Sequence, residues 1–451
     1  MESEREIPRE IFGKEFSWGI SSSALQTEGS TDIDGRGPSI WDVFAQKKNK
    51  IYDNHSPKVA SDFYRLYEND LSIVQSLQIP NVRLSISWPR IIPSGIGAIN
   101  PAGLDFYKRL FESCLRKGIQ PWVTLYHWDL PWKLEQKGGW TNRDIINWFS
   151  EYAALCSREL KDFVQHWMIL NEPVVFTGAG HFLGIHAPGR RGLKNFLPAI
   201  HHALLAQSAV SKIIRSEQPN AQIGSTFSCS QVVAYSNQPS DIKIAKQTDA
   251  LLNRLFIEPS LGLGYPYQDL PIIKRMGNYM MQGDEENLKT HFDFIGIQYY
   301  TRLVVRHSFW VPLLRTKIVQ PHKRKVYRTA MNWEVYPEGL YEMLKKFNAY
   351  GGSHKIIVTE NGAAFHDEHL HDKISDHERI QFIMNHIRQV ARAKREGLKA
   401  DGYFVWSLTD NFEWAEGYRF RFGLVYVDYQ NQKRTIKDSG YWYGNFINSV
   451  K

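Results

Sequence analysis

Cysteine is scarce: Cys114, Cys156 and Cys229 are the only three in 451 residues, far apart and odd in number. That excludes a disulfide-stapled scaffold and, with no CxxC pair, a zinc ribbon or a CxxC redox centre. Long apolar runs are missing as well. No stretch approaches the roughly 18 residues of a membrane span, and Met1 to Lys14 alternate charged and apolar residues where a secretory signal needs an apolar block. Neither GxGxxG after a strand nor GxxxxGKS/T occurs, so no nucleotide cofactor is implied. A reduced, cytoplasmic protein without a membrane partner is the expectation.

Aromatic residues are abundant, with 14 Trp, 22 Tyr and 24 Phe, and flat apolar faces suit stacking against sugar rings or bases. The formal charge is +8. Much of it lies between Arg302 and Arg328, which hold eight Lys or Arg and no Asp or Glu. With few aromatics interleaved, this stretch reads as a solvated insertion rather than a nucleic-acid site.

Short apolar runs bounded by turn residues recur along the chain, as strands buried on both faces of a parallel sheet do. They are Phe16 to Ile20, Asn81 to Ser87, Pro121 to His127, Trp167 to Asn171, Gln222 to Phe227, Phe292 to Tyr300, Lys355 to Glu360 and Tyr403 to Leu408. Helical patterns lie between them. Phe63, Tyr67, Leu71, Val74 and Leu77 mark one; Trp148, Tyr152 and Leu155 mark another, expected to start at Thr141 with Asp144 completing a loose capping box; Ile380, Ile383, Met384, Ile387, Val390 and Ala391 mark a third. Eight strands alternating with helices and no low-complexity linker predict an α/β fold: a single (β/α)8 TIM barrel over residues 1–451, with its extra length in loops at the C-terminal face of the strands. The longest loops are expected at Gln26 to Pro57 and Arg302 to Asn332.

Reacting groups in such a barrel gather where strands end. Glu172 and Glu360 end the fourth and seventh strands, nearly opposite each other, so both carboxyls can reach one pocket. Acetal cleavage needs such a pair: one acid to protonate the leaving oxygen, and one carboxylate to attack or to activate water.

Leu170-Asn171-Glu172-Pro173 and Val358-Thr359-Glu360-Asn361-Gly362 resemble the acid/base and nucleophile signatures of glycoside hydrolase family 1. The resemblance extends in order through Phe16 to Gly19, Gln26 to Gly29, Arg83 to Arg90, Tyr126 to Pro131, Trp333 to Leu340, Trp406 to Trp414 and Arg421 to Leu424. It implies a retaining β-glycosidase of β-glucosidase type that needs no metal or cofactor. Glu172 would be the general acid/base and Glu360 the nucleophile, with Arg83 and Tyr300 as the nucleophile's partners. Asn171 would bond the sugar 2-hydroxyl; Gln26, His127, Glu413 and Trp414 would read the other hydroxyls. Trp406 is the implied platform beneath the ring, while Trp333, and more loosely His181, mark the pocket mouth. Trp128 and Phe422, beside these positions in their motifs, complete the substrate-binding set. The partner is then a small β-glycoside or oligosaccharide, with oligomeric state left open. A non-hydrolytic β-glycoside-binding protein is the alternative, against which both glutamates argue.

Two features depart from that pattern or extend it. Gln298 stands in the sixth-strand motif where many members carry Asn, so any hydrogen bond it makes must be re-aimed. The basic stretch after strand six suggests acidic aglycones. His366, His369, His371 and His377, interleaved with Asp367, Glu368, Asp372 and Asp376, fit no metal-ligand spacing well and read as a solvated loop.

Overall fold

The computed structural model describes residues 7–311, 314–370 and 373–449. Residues 1–6 of the opening segment, Pro312 and Leu313 of the basic stretch, and His371 and Asp372 of the histidine-rich cluster lie outside the described residues. Eight parallel strands close into a barrel: β1 (Ser17–Ser21), β2 (Asn81–Ser85), β3 (Gln120–Tyr126), β4 (His166–Asn171), β5 (Gln222–Cys229), β6 (Phe294–Tyr299), β7 (Lys355–Asn361) and β8 (Gly402–Trp406). Each pairs with its neighbour in sequence, and β1 closes the ring against β8. All eight coincide with the apolar runs, because strands covered by helices outside and side chains inside have no polar face. β6 is buried at every position.

The helices that follow the strands are α1 (Phe63–Ser76), α2 (Pro101–Arg116), α3 (Ile145–Leu160), α4 (Leu193–Glu217), α5 (Pro239–Asp249), α6 (Glu338–Asn348), α7 (His377–Arg395) and α8 (Asp438–Asn448). α7 turns an apolar stripe inward, burying Phe382, Ile383, Ile387 and Val390, whereas α5 packs on the short outer strands Val232–Ala234 and Leu303–His307. The expected start of α3 needs correcting. Thr141 closes a 3-10 turn, the helix begins at Ile145, and no side chain caps it. Phe149 takes the buried place expected of Trp148, which stays half-buried beneath Lys137. A true capping box forms elsewhere, where Ser39 and Asp42 each satisfy the other's backbone N–H.

The lower half of the barrel interior is filled by Trp122, Met168, Phe294, Ile357 and Phe404, from five different strands. Trp122 meets Phe294 and Phe404 edge to face, with ring centroids 5.3 and 5.2 Å apart. Room for these side chains comes from glycines on adjacent strands. A Cβ on Gly19 would lie 2.3 Å from the Phe404 ring, and one on Gly224 would lie 2.5 Å from Phe294. Outside the barrel, Val232–Ala234, Leu303–His307 and Thr316–Ile318 form a small sheet built partly from the basic stretch.

Candidate active site

Above the apolar floor, the strand tops turn polar. The register of β4 against β5 shifts between Met168 and Asn171, and that of β7 against both neighbours shifts after Val358. Such irregularities re-aim the side chains beyond them. Here they precede Glu172 and Glu360. Glu172 has a φ of 44° and sits just before a short helix opened by Pro173. Trp128 and Trp414, with φ of 78° and 51°, are likewise left-handed. A non-glycine residue held there costs about 1–3 kcal/mol, which the surrounding structure must offset.

These elements enclose a cavity of about 510 Å³. Gln26, His127, Trp128, Glu172, Tyr300, Trp333, Glu360, Trp406, Glu413, Trp414 and Phe422 all line it. Arg83 and Asn171 lie beneath as its support. The Arg83 guanidinium contacts Glu360 through Nη1, donates through Nη2 to Asn171 Oδ1 at 2.6 Å, and rests Nε on the Met168 sulfur at 2.9 Å. Tyr300 donates its hydroxyl to the other Glu360 oxygen at 2.6 Å. Asn171 Oδ1 also accepts from Thr226 at 3.0 Å and from Gln298 Nε2 at 2.8 Å. The longer Gln298 side chain therefore reaches Asn171.

That set of donors fixes the Asn171 amide, whose Nδ2 meets His127 Nε2 at 3.0 Å. His127 Nε2 must then accept, which places the ring proton on Nδ1, an atom with no partner among the described residues. Burial, and secondarily Arg83, hold the His127 pKa well below the usual range, so the ring is neutral. It stacks between Trp414 and Trp406, at centroid distances of 5.7 and 6.1 Å. Gln26 accepts from Ser23 at 2.7 Å and points Nε2 toward Glu413 Oε2 at 3.4 Å. Burial and the Glu360 charge push the Glu413 carboxyl up to about 8.

The two glutamates facing the cavity are unequal. Burial and then the negative charge of Glu360 push Glu172 up to about 8, and only the Ser228 hydroxyl and the more distant Arg83 oppose this. Burial raises Glu360 too, but Arg83 and Tyr300 touch it directly and pull it back. Glu172 therefore holds the proton and Glu360 the charge. One cavity thus presents a proton donor and an ionised carboxylate to the same small molecule.

Other expectations meet different fates. His181 is buried, binds the Phe176 carbonyl through Nδ1 at 3.1 Å and does not line the cavity; His186 does. None of the eight basic residues of the stretch lines it, whereas Glu416 does, so the lining gives the acidic-aglycone expectation no support. Arg302 and Arg324 are instead spent on Glu334, at 2.7 and 2.6 Å. The histidine-rich segment is not simply a solvated loop. Asp367 and Asp376 are buried with Arg379 and Lys437, in a network that reaches Asp410 of the eighth-strand motif. Glu28 of the first motif is structural: it accepts from Arg90 at 2.9 Å and from Tyr107 at 2.5 Å. Sequence reasoning missed Val175, Ile185, Ser228, Cys229, Ser230 and Met331 as lining residues. β5 continues to Cys229, two residues past the predicted end, and this continuation carries Ser228 and Cys229 to the cavity.

The family model described as Glycosyl hydrolase family 1 matches residues 8–451. A 1,4-beta-D-glucan glucohydrolase of Thermotoga neapolitana is 41% identical over 97% of this chain and 98% of its own length. Beta-glucosidase A of Thermotoga maritima is 40% identical over 97% of both. Among solved structures, the AHE enzyme from Alicyclobacillus herbarius superposes with a TM-score of 0.94 at 39% identity, covering 99% of this chain and 100% of that one. The family 1 β-glucosidase from Thermotoga maritima gives 0.93 at 40% identity, covering 97% and 98%. The chain belongs to glycosyl hydrolase family 1.

Proposed function

We propose that this enzyme removes terminal β-D-glucosyl, or closely related, residues from small β-glycosides with retention of configuration, Glu172 acting as acid/base and Glu360 as nucleophile. The observation that carries this is the inequality of two buried carboxyls facing one cavity: Glu360 bound by Arg83 and Tyr300, Glu172 without a cation of its own. Glu360 attacks the anomeric carbon while Glu172 passes its proton to the leaving oxygen; the C–O bond breaks and a glycosyl ester forms. Esterification removes the Glu360 charge that lifted the Glu172 pKa, so Glu172 becomes a willing base. It takes a proton from water, whose oxygen attacks the anomeric carbon and releases the Glu360 carboxylate.

Gln26, the free Nδ1–H of His127, Glu413 and Trp414 are placed to read sugar hydroxyls, since a wrong epimer would leave one of these buried groups unpaired. Asn171 keeps a second amide hydrogen for the 2-hydroxyl. Trp406 supplies the platform, Trp128 and Phe422 wall the site, and Trp333 flanks the leaving group. In this reading residues 1–451 act as one catalytic domain. Three buried free thiols, Cys114, Cys156 and Cys229, support a cytoplasmic setting. Among the described residues no helix is long and apolar enough to cross a membrane. Proton NMR during hydrolysis of an aryl β-glucoside tests the proposal: β-glucose should appear first, and first appearance of α-glucose would refute double displacement. Binding without turnover would favour a lectin-like protein.

A further inference from the structure

A second cavity, of about 350 Å³, adjoins the first and shares Val175, Ser228, Cys229 and Ser230 with it. Its remaining wall comes from the segment after Glu172 (Phe182, Leu183), from the start of α4, from the helical segments Ala250–Arg254 and Pro271–Tyr279 that carry Leu252 and Ile273, and from the turn at Leu314. Among the described residues no Asp, Glu, Lys, Arg or His lines it. Gly178 faces it, and a Cβ there would meet no atom within 4 Å. The rim is apolar as well: Leu183 of this chamber and Ile185 of the first cavity are 51% and 55% exposed.

The position of the neck matters more than the volume. Ser228 faces the Glu172 carboxyl and also lines the chamber. Glu172 is the group that protonates the leaving oxygen, so the atoms beyond that oxygen begin beside Ser228. A second sugar continuing into the chamber would bury hydroxyls against leucine, isoleucine and phenylalanine, each unpaired hydroxyl costing about 1–3 kcal/mol. Methylenes incur no such cost.

We infer that the chamber takes the hydrocarbon chain of alkyl β-glucosides, the glycosidic oxygen lying at Glu172 and the chain running past Ser228 toward Leu252 and Ile273. This rests on the β-glucosidase reading. The test is kcat/KM across n-alkyl β-D-glucosides from methyl to decyl, below their micelle concentrations. In the wild type kcat/KM should rise about two- to fourfold per methylene, the transfer free energy of a buried CH2, until the chamber is full. Gly178→Leu fills the chamber and Leu252→Gln makes it polar. Each should flatten the series while methyl and nitrophenyl β-glucosides are turned over within about twofold of wild type. A flat wild-type series overturns the inference and leaves the β-glucosidase reading standing. A slope that survives in whichever variant keeps methyl-glucoside turnover also overturns it. Failure to hydrolyse any β-glucoside overturns both.

Discussion

The two ends of the barrel are built on the same eight strands and obey opposite rules. At the lower end Trp122, Met168, Phe294, Ile357 and Phe404 leave no polar atom to satisfy except the Trp122 indole, which donates to Asn81 at 3.0 Å. At the upper end Arg83, Asn171, Gln298 and Glu360 are buried, Tyr300 is half-buried, and the five are bound to one another. They meet where Arg83 Nε lies against Met168 Sδ. Burying the floor stabilises the fold through the hydrophobic effect. Burying the ion pair above it returns little net stability, because desolving two charges offsets most of their attraction. What the upper network supplies is fixed geometry and unequal pKa values.

The comparison is broken most severely at Glu360. Glu360→Gln should lower kcat/KM by on the order of 10⁵-fold with the circular dichroism spectrum unchanged; a loss below about a hundredfold in steady-state kinetics would refute the nucleophile assignment. Next, Glu172→Gln should cost about 10²–10⁴-fold on alkyl glucosides, whose leaving group needs a proton, and far less on a dinitrophenyl glucoside. Equal losses on both substrates would mean that Glu172 is not the acid. At the other end, Phe404→Ala should cost about 3–5 kcal/mol in denaturant unfolding, leaving KM nearly unchanged at 25 °C. Collapse of kcat with unfolding unaltered would show that floor and site are not separable.

Smaller effects sharpen the contrast. The raised Glu172 pKa keeps the acid protonated through neutral pH, so activity is present below about 8 and lost above it. On this basis kcat/KM should fall about tenfold per pH unit on the alkaline side, and a profile flat to pH 10 would exclude Glu172 as the titrating group. Gln298→Asn, which withdraws the amide from Asn171, should cost no more than about tenfold, the scale of one neutral hydrogen bond. A larger loss, read as kcat against KM, would make Gln298 part of the sugar site.

The floor and the ring were legible because a parallel strand buried on both sides leaves an apolar run that needs no partner to be seen. Glu172 and Glu360 were legible for a second reason: each ends such a run inside a motif, Leu170 to Pro173 and Val358 to Gly362, that resembles a family signature. Ser228 and His186 were not, since the first requires the true end of β5 and the second lies on a loop whose path no local pattern encodes. Arg302 and Arg324 misled for the same reason. Their common partner, Glu334, lies 32 and 10 residues away, so the charge looked free. Asp367 and Asp376 looked solvated until α7 and Lys437 closed over them.

Because the ring is wound in strict sequence order, the proposed acid/base and nucleophile are divided between the two halves of the chain, Glu172 following β4 and Glu360 near the end of β7. Neither half holds a weaker copy of the other's chemistry. A nick followed by loss of either half, or a transcript cut short after β6, therefore leaves no partial glycosidase behind. Under this assignment truncation is all or none, and a fragment, however well it folded, would at most hold sugar without breaking it.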